Sequence, residues 1–128
     1  MKAFILILAV LTSLSAKAVN TDPSSKDINI GISEVFVPGG FSSTSDAYVV
    51  VSGLFPNSCY SWKWAIVTSP TALIHEIKSI ASVSQQMCLM VMIPFQKDVN
   101  LGRLQSGAHT LRFLNGDGTF FERALKID

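Results

Sequence analysis

Residues 109–127 read HTLRFLNGDGTFFERALKI, and this stretch restricts the fold more than any other. In HTLRFL the odd positions His109, Leu111 and Phe113 form one set. In TFFERALKI the odd positions Phe121, Leu125 and Ile127 are again apolar, with Arg123 among them. Side chains alternate along a strand, so each set marks one face. Two strands of a hairpin must turn their core residues to the same face. Position 113 must therefore oppose 121, which demands a loop with an odd number of residues. Gly116-Asp117-Gly118 meets that demand as a three-residue loop, with Gly118 in the left-handed conformation of a G1 bulge. Arg112 then falls opposite Glu122, a favourable pair on the outer face, and Leu114 opposite Phe120.

The rest of the chain follows the same pattern of short strands and turns. INIGI puts Ile28, Ile30 and Ile32 on one face, but after Glu34 the apolar parity switches to Val35 and Val37. Such a switch implies a bulge or a strand that changes partners. Residues 39–46 form a loop, and AYVVVSGLF, apolar at both parities, reads as a central strand buried on both faces. Tyr60, Trp62, Trp64 and Ile66 share one face of the next strand, and Ser61, Lys63 and Ala65 the other. Over 69–81, Ser69-Pro70 is a good helix start and Leu73, Ile74, Ile77, Ile80 and Ala81 fit a helical stripe, yet the same residues also fit an extended segment. The preferred reading is a short helical turn or loop near Pro70, then strand. MCLMVMIPF at 87–95 reads as a buried strand holding three of the four methionines, ended by Pro94 and QKD. The expected architecture is an all-β sandwich spanning residues 27–128, with room for one short helical turn within 70–80.

The start of the chain sets the expected compartment. In MKAFILILAVLTSLSAKAVN, Lys2 precedes an apolar stretch from Ala3 to Leu11, and Ala16-Lys17-Ala18 supplies an A-x-A cleavage pattern. That predicts a signal peptide over residues 1–18, a flexible leader over 19–26 and a secreted or periplasmic protein. The apolar run is shorter than the roughly 20 residues a membrane span needs, so no stable membrane insertion is expected after cleavage. Cleavage removes Lys2 and Lys17 from ten basic residues and no acid from nine, leaving a formal charge of −1. A near-neutral chain carries no basic stripe for nucleic acid. In an oxidising compartment the even cysteine count reads as one disulfide, Cys59 to Cys88. Closing a loop of this size contributes about 3.6 kcal/mol on the chain-entropy account.

The segment LGRLQSGAHTL resembles the L-x-x-L-x-x-G-x-Y corner of fibronectin type III and other immunoglobulin-like sandwiches, with Leu101, Leu104 and Gly107 in place and His109 where the tyrosine stands. An imidazole can make the same kind of bond to upstream backbone. GLFPNSCY, Cys88 and the L-x-x-L-x-x-G corner together resemble small exported bacterial domains with immunoglobulin-like sandwiches, over about residues 48–115. Phe55 replaces the usual leucine. The resemblance implies an antiparallel sandwich and an exported compartment, and no activity.

Signatures of chemistry are sparse. There is no G-x-S-x-G and no phosphate-binding loop, and His75-Glu76 begins an H-E-x-x-H motif that Ser79 interrupts. NGDGT offers alternate oxygens but lacks the glycine of a calcium loop, and the hairpin turn accounts for it. No catalytic residue, metal ligand or cofactor is assigned. Surfaces remain. Tyr60, Trp62 and Trp64 form an aromatic row that is core on the plainer reading and a sugar-stacking platform on the alternative. Arg112, Leu114, Phe120 and Glu122 form a possible contact patch on the last hairpin. The expectation is a non-enzymatic exported module that binds a protein partner, with polysaccharide binding as the alternative.

Overall fold

A computed structural model describes residues 25–128; the expected signal peptide and all but the end of the leader lie outside them. Eight strands follow in order: β1 Ser25–Ile30, β2 Glu34–Phe36, β3 Ala47–Phe55, β4 Tyr60–Thr71, β5 Ile74–Ser84, β6 Ile93–Gly102, β7 Gly107–Leu114 and β8 Phe120–Ile127. β1 thus opens at Ser25, two residues ahead of the expected domain start. No helix occurs among the described residues, and the fold is an all-β sandwich.

The larger sheet holds β4, β5, β1, β7 and β8; the smaller runs β2-β3-β6. Strand β4 covers the whole of one side of β5. On the other side β7 pairs with residues 74–78 of β5 and β1 with residues 79–84. The β5–β7 ladder is parallel, whereas every other ladder is antiparallel. This departs from the wholly antiparallel sheets that an immunoglobulin-like arrangement would have.

The parity switch after Ile32 is where the chain changes sheets. Strand β1 pairs with β5 in the larger sheet and β2 with β3 in the smaller. Between the sheets pack Ala47, Val49, Val51 and Phe55 of β3 and Phe95 and Val99 of β6. They meet Ile77 and Ala81 of β5, Leu111 and Phe113 of β7, and Leu125 and Ile127 of β8. The last hairpin has the expected register: Phe113 opposes Phe121, Arg112 opposes Glu122 and Leu114 opposes Phe120. Gly118 closes the loop at φ +87°.

Four expectations need correction. Strand β3 is central in its sheet but buried on one face only, since Tyr48 and Leu54 are exposed on the other. A three-stranded sheet with nothing among the described residues over its outer face cannot bury both. The helical turn near Pro70 is absent; β4 runs through Thr71 and a tight Ala72-Leu73 turn leads into β5. Thr71 Oγ1 accepts from the Leu73 and Ile74 amides, and the Thr110 amide donates to the Leu73 carbonyl, which docks the turn on β7. Pro70 is tolerated because β4 is an edge strand and the ladder is interrupted there. The apolar run 87–92 is not a strand, and its side chains other than Cys88 are exposed. Finally, Pro94 does not end a strand but stands near the start of β6, whose outward residues Gln96, Asp98 and Asn100 account for the polar stretch beyond it. β6 is also an edge strand, so the missing proline N–H is harmless there.

Candidate functional site

Strand β4 decides where the aromatic residues go. Trp62 pairs with Ala81 but Trp64 with Ile80, so Lys63 is an extra residue, a bulge. The bulge divides the expected row. Tyr60 and Trp62 face the core, Tyr60 stacking on Phe55 at 5.8 Å and Trp62 against Phe95 at 5.8 Å. Trp64 turns outward, half exposed, with the Lys63 ammonium 4.4 Å above its ring. Tyr60, Trp62 and Trp64 therefore do not lie on one face, and no three-ring row is presented to a sugar.

The same bulge moves Trp64 and Ile66 to the outer face of the larger sheet, which also carries the expected contact patch. Ile66, Lys78, Leu114 and Phe120 lie in one register row across β4, β5, β7 and β8. The neighbouring row is Thr68, Glu76, Arg112 and Glu122. The Arg112 guanidinium donates to Glu76 at 3.1 Å and Glu122 at 3.2 Å, and lies 5.0 Å over the Phe120 ring. Phe120 is exposed, whereas Leu114 is half-buried. The four expected residues are thus brought together, beneath a braced arginine.

Cys59 and Cys88 are disulfide-bonded, with Cα atoms 5.3 Å apart. Asn57 Oδ1 accepts from the Cys59 amide at 2.9 Å and shapes the turn. Ser58 holds the other side of the crosslink: its hydroxyl accepts from the Leu89 amide at 2.7 Å, and its amide donates to the Leu89 carbonyl at 3.1 Å. The crosslink and these bonds fix the base of a loop that projects Met87, Leu89, Met90, Val91 and Met92 into solvent, each 53% to 103% exposed. Beside it, Leu54 and Pro94 pair across β3 and β6 at the mouth of an open cleft of about 550 Å³. No charged residue occurs in 84–96 or 47–62, the segments that build this end. Sequence reasoning missed the loop by giving 87–95 to the core. The signal was the composition of 87–92, which holds one β-branched residue against three methionines.

A second group went unassembled in the sequence. The ladder steps from Thr68–Glu76 to Thr71–Ile74, so Ser69 and Pro70 together oppose His75. Ser69 Oγ lies 2.6 Å from His75 Nδ1, His75 Nε2 lies 2.8 Å from His109 Nδ1, and His109 Nε2 lies 2.7 Å from the Gln105 carbonyl. A carbonyl only accepts, so His109 donates from Nε2 and accepts at Nδ1. His75 then donates from Nε2 and accepts at Nδ1, and the Ser69 hydroxyl donates to it. One proton placement satisfies the whole chain. Both imidazoles are buried, while Ser69 is exposed. His109 makes the upstream backbone bond expected of the residue in the tyrosine position. Burial, and then the neighbouring His109, hold the His75 imidazole below its ordinary value and keep it neutral.

Asp117 serves the turn. Its Oδ1 accepts from the Thr119 amide at 3.0 Å and hydroxyl at 2.6 Å, bonds that lower its carboxyl below the usual range. Among the described residues, no group of three or more His, Cys, Asp or Glu is placed to hold a metal ion.

The family model described as ORF11 beta-sandwich domain matches residues 49–122, from the central strand of the smaller sheet to the last hairpin. No curated protein and no solved structure matches the chain.

Proposed function

The chain belongs to the ORF11 beta-sandwich domain family, a description of fold alone, and from that premise we propose that it is an exported, non-enzymatic module that binds a protein partner through the loop 87–92. One observation carries the reading: five aliphatic side chains stand in water on a loop whose base is crosslinked. Apolar surface left in water is unfavourable by about 25 cal/mol per Å², so a cluster held outward by its own framework reads as a contact surface. Methionine suits that use because its flexible thioether adapts to the surface it meets. Export is supported by the leader sequence and by a disulfide, which suits an oxidising compartment. Among the described residues no helix is long and apolar enough to cross a membrane.

The test is affinity capture from the medium or periplasm in which the protein is found, with the wild type and the Met90→Asp/Met92→Asp double variant as baits. The expected result is a partner held by the wild type and lost by the double variant at unchanged melting temperature. A partner retained by the double variant would sink the loop as the site. The outer face of the larger sheet is a second reading, favoured by the row Ile66, Lys78, Leu114 and Phe120 with Trp64 beside it. Loss of the partner on Phe120→Asp instead would select that face.

A further inference from the structure

We propose that Ser69 is a nucleophilic serine, and that the chain Ser69–His75–His109–Gln105 readies it to take one acyl group from an activated carboxylic ester. The warrant is geometric. A nucleophile needs a base within hydrogen-bond reach, and that base must be oriented by a third group. Ser69 Oγ is 2.6 Å from His75 Nδ1, and His75 is oriented through its Nε2 bond to His109, 2.8 Å away. The Gln105 carbonyl fixes the tautomer of His109, and with it that of His75, so Nδ1 of His75 presents a free electron pair to the serine proton. The base is shielded while the nucleophile is open: His75 is 3% exposed, and Ser69 stands on an edge strand facing solvent.

The hydroxyls of other exposed serines meet no imidazole. Ser106 donates to the Asp128 carbonyl, and Ser58 accepts from the Leu89 amide. Neither contact can receive a serine proton. Ser69 alone among these has a base for it.

In the step, an Oγ electron pair attacks the ester carbonyl carbon, the Oγ–C bond forms, and the hydroxyl proton passes to His75 Nδ1. The bond from that carbon to the leaving oxygen then breaks. The leaving oxygen takes the proton from Nδ1 and departs as a phenol or alcohol, and the imidazole is neutral again. No oxidant or reductant is needed. The residue after the serine is Pro70, which has no N–H to steady the oxyanion. Only donors with a good leaving group therefore react, and the alkyl ester formed on Ser69 outlasts the aryl ester that made it. Ser69 is a stoichiometric acceptor rather than a turnover centre, which accords with a non-enzymatic module.

The groups in register with the histidine pair are Ser69 on β4, Leu111 on β7 and Leu125 on β8. Glu76, Arg112 and Glu122 lie on the opposite face of the sheet, and the inward-parity cations Arg123 of β8 and Lys97 of β6 are exposed at edges. Proton uptake by His75 at Nδ1 thus withdraws the base from the nucleophile.

The experiment treats the intact, disulfide-bonded protein with p-nitrophenyl acetate and maps acetylation by peptide mass spectrometry. Ser69 should acetylate about a hundredfold faster than Ser106 in the same molecule, the low end of what a positioned base contributes. Its rate should fall as pH drops through and below the ordinary imidazole range. Ser69→Ala should remove the adduct while the protein still unfolds in one cooperative transition, its melting temperature lowered only by the bond lost to His75 Nδ1. Acetylation of Ser69 no faster than that of Ser106, or a rate that follows hydroxide concentration with no break in the imidazole range, would overturn the proposal.

Discussion

Replacing Gly116 with alanine is expected to destabilise the protein well beyond an ordinary surface mutation, although the residue sits in an exposed hairpin loop. A β-carbon built there would stand 2.3 Å from the Asn29 carbonyl oxygen of β1, a contact that real structures do not make. The obstacle is backbone on a strand paired with β5, so no flexible side chain can swing aside. Relief requires the loop or the strand to move by about an ångström, and forced overpacking of this kind costs about 1–3 kcal/mol, here at the upper end. For a domain of roughly 100 residues each kcal/mol moves the melting temperature by about 4–8 °C, so a fall on the order of 10–20 °C is expected. Gly118, two residues on, gives the control. Its φ of +87° disfavours other residues, yet nothing lies within 4 Å of the point where a β-carbon would stand. Gly118→Asn should cost less than Gly118→Ala, because asparagine tolerates the left-handed region, whereas Gly116→Asn should be no better than Gly116→Ala. Urea unfolding monitored by tryptophan fluorescence gives the differences. A loss below about 0.5 kcal/mol for Gly116→Ala, the size of a neutral surface change, would refute the packing of this loop on β1.

Three other outcomes are expected. Replacing Cys59 and Cys88 together by alanine should remove about 3–4 kcal/mol in urea unfolding, since the crosslink spans a sequence separation of 29 residues. Stability should decline on acidification, because the folded-state value of His75 lies below its unfolded value near 6.5. The unfolded chain therefore binds the proton first, so this contribution is whole above that value and lost as pH falls through the folded one. Melting temperatures from about pH 7.5 to about pH 5 should show the decline, weakened in His75→Gln. Phe113→Ala should cost about 3–5 kcal/mol, whereas Met90→Asp should stay within about 0.5 kcal/mol, and chemical denaturation of the two variants separates core from contact surface.

How far the sequence could be read depended on whether a feature was local. The last hairpin was legible to the residue because two short alternating patterns and one loop determine it: the side-chain period permits one parity, and the parity fixes the loop length. The change of sheets after Ile32 was legible for the same reason, as a break in alternation at a single place. The disulfide followed from the cysteine count and the leader. The run 87–92 was not legible, because apolar content says what a segment would prefer to bury and not whether the chain allows it. Cys88 is bonded to Cys59 at the start of β4, and Leu89 is bonded to Ser58. A segment held at the end of the sandwich while the chain crosses from one sheet to the other cannot also lie between the sheets. The choice left open over 69–81 between a helical stripe and an extended segment was decided by a non-local term: the Leu73 carbonyl is claimed by the Thr110 amide, and β5 is held by three neighbouring strands.

The two bulges of β4 explain why the site residues resisted assembly from the sequence while the fold did not. Each inserts one residue against β5, and neither is dictated by the residues of β4 alone, since Tyr60-Ser61-Trp62-Lys63-Trp64 alternates without a flaw. What the first bulge achieves is visible only in the pairing. It keeps Trp62 on the core beside Phe95 and leaves Ala65 and Val67, rather than Trp64 and Ile66, to face inward. Without it a second indole would have to enter a core that Val49, Val51, Ile77 and Ala81 already fill. The same shift sets Ser69 opposite His75, one step beyond the Thr68–Glu76 pair, and the second bulge follows at Pro70, which has no amide to lose from the ladder. The first bulge therefore places Trp64 on the outer face of the sheet and sets a hydroxyl against a buried base on the inner one. A strand that stayed in regular register from Tyr60 to Thr71 would do neither, so the chemistry of this strand belongs to the β4–β5 pairing and not to any motif within one strand.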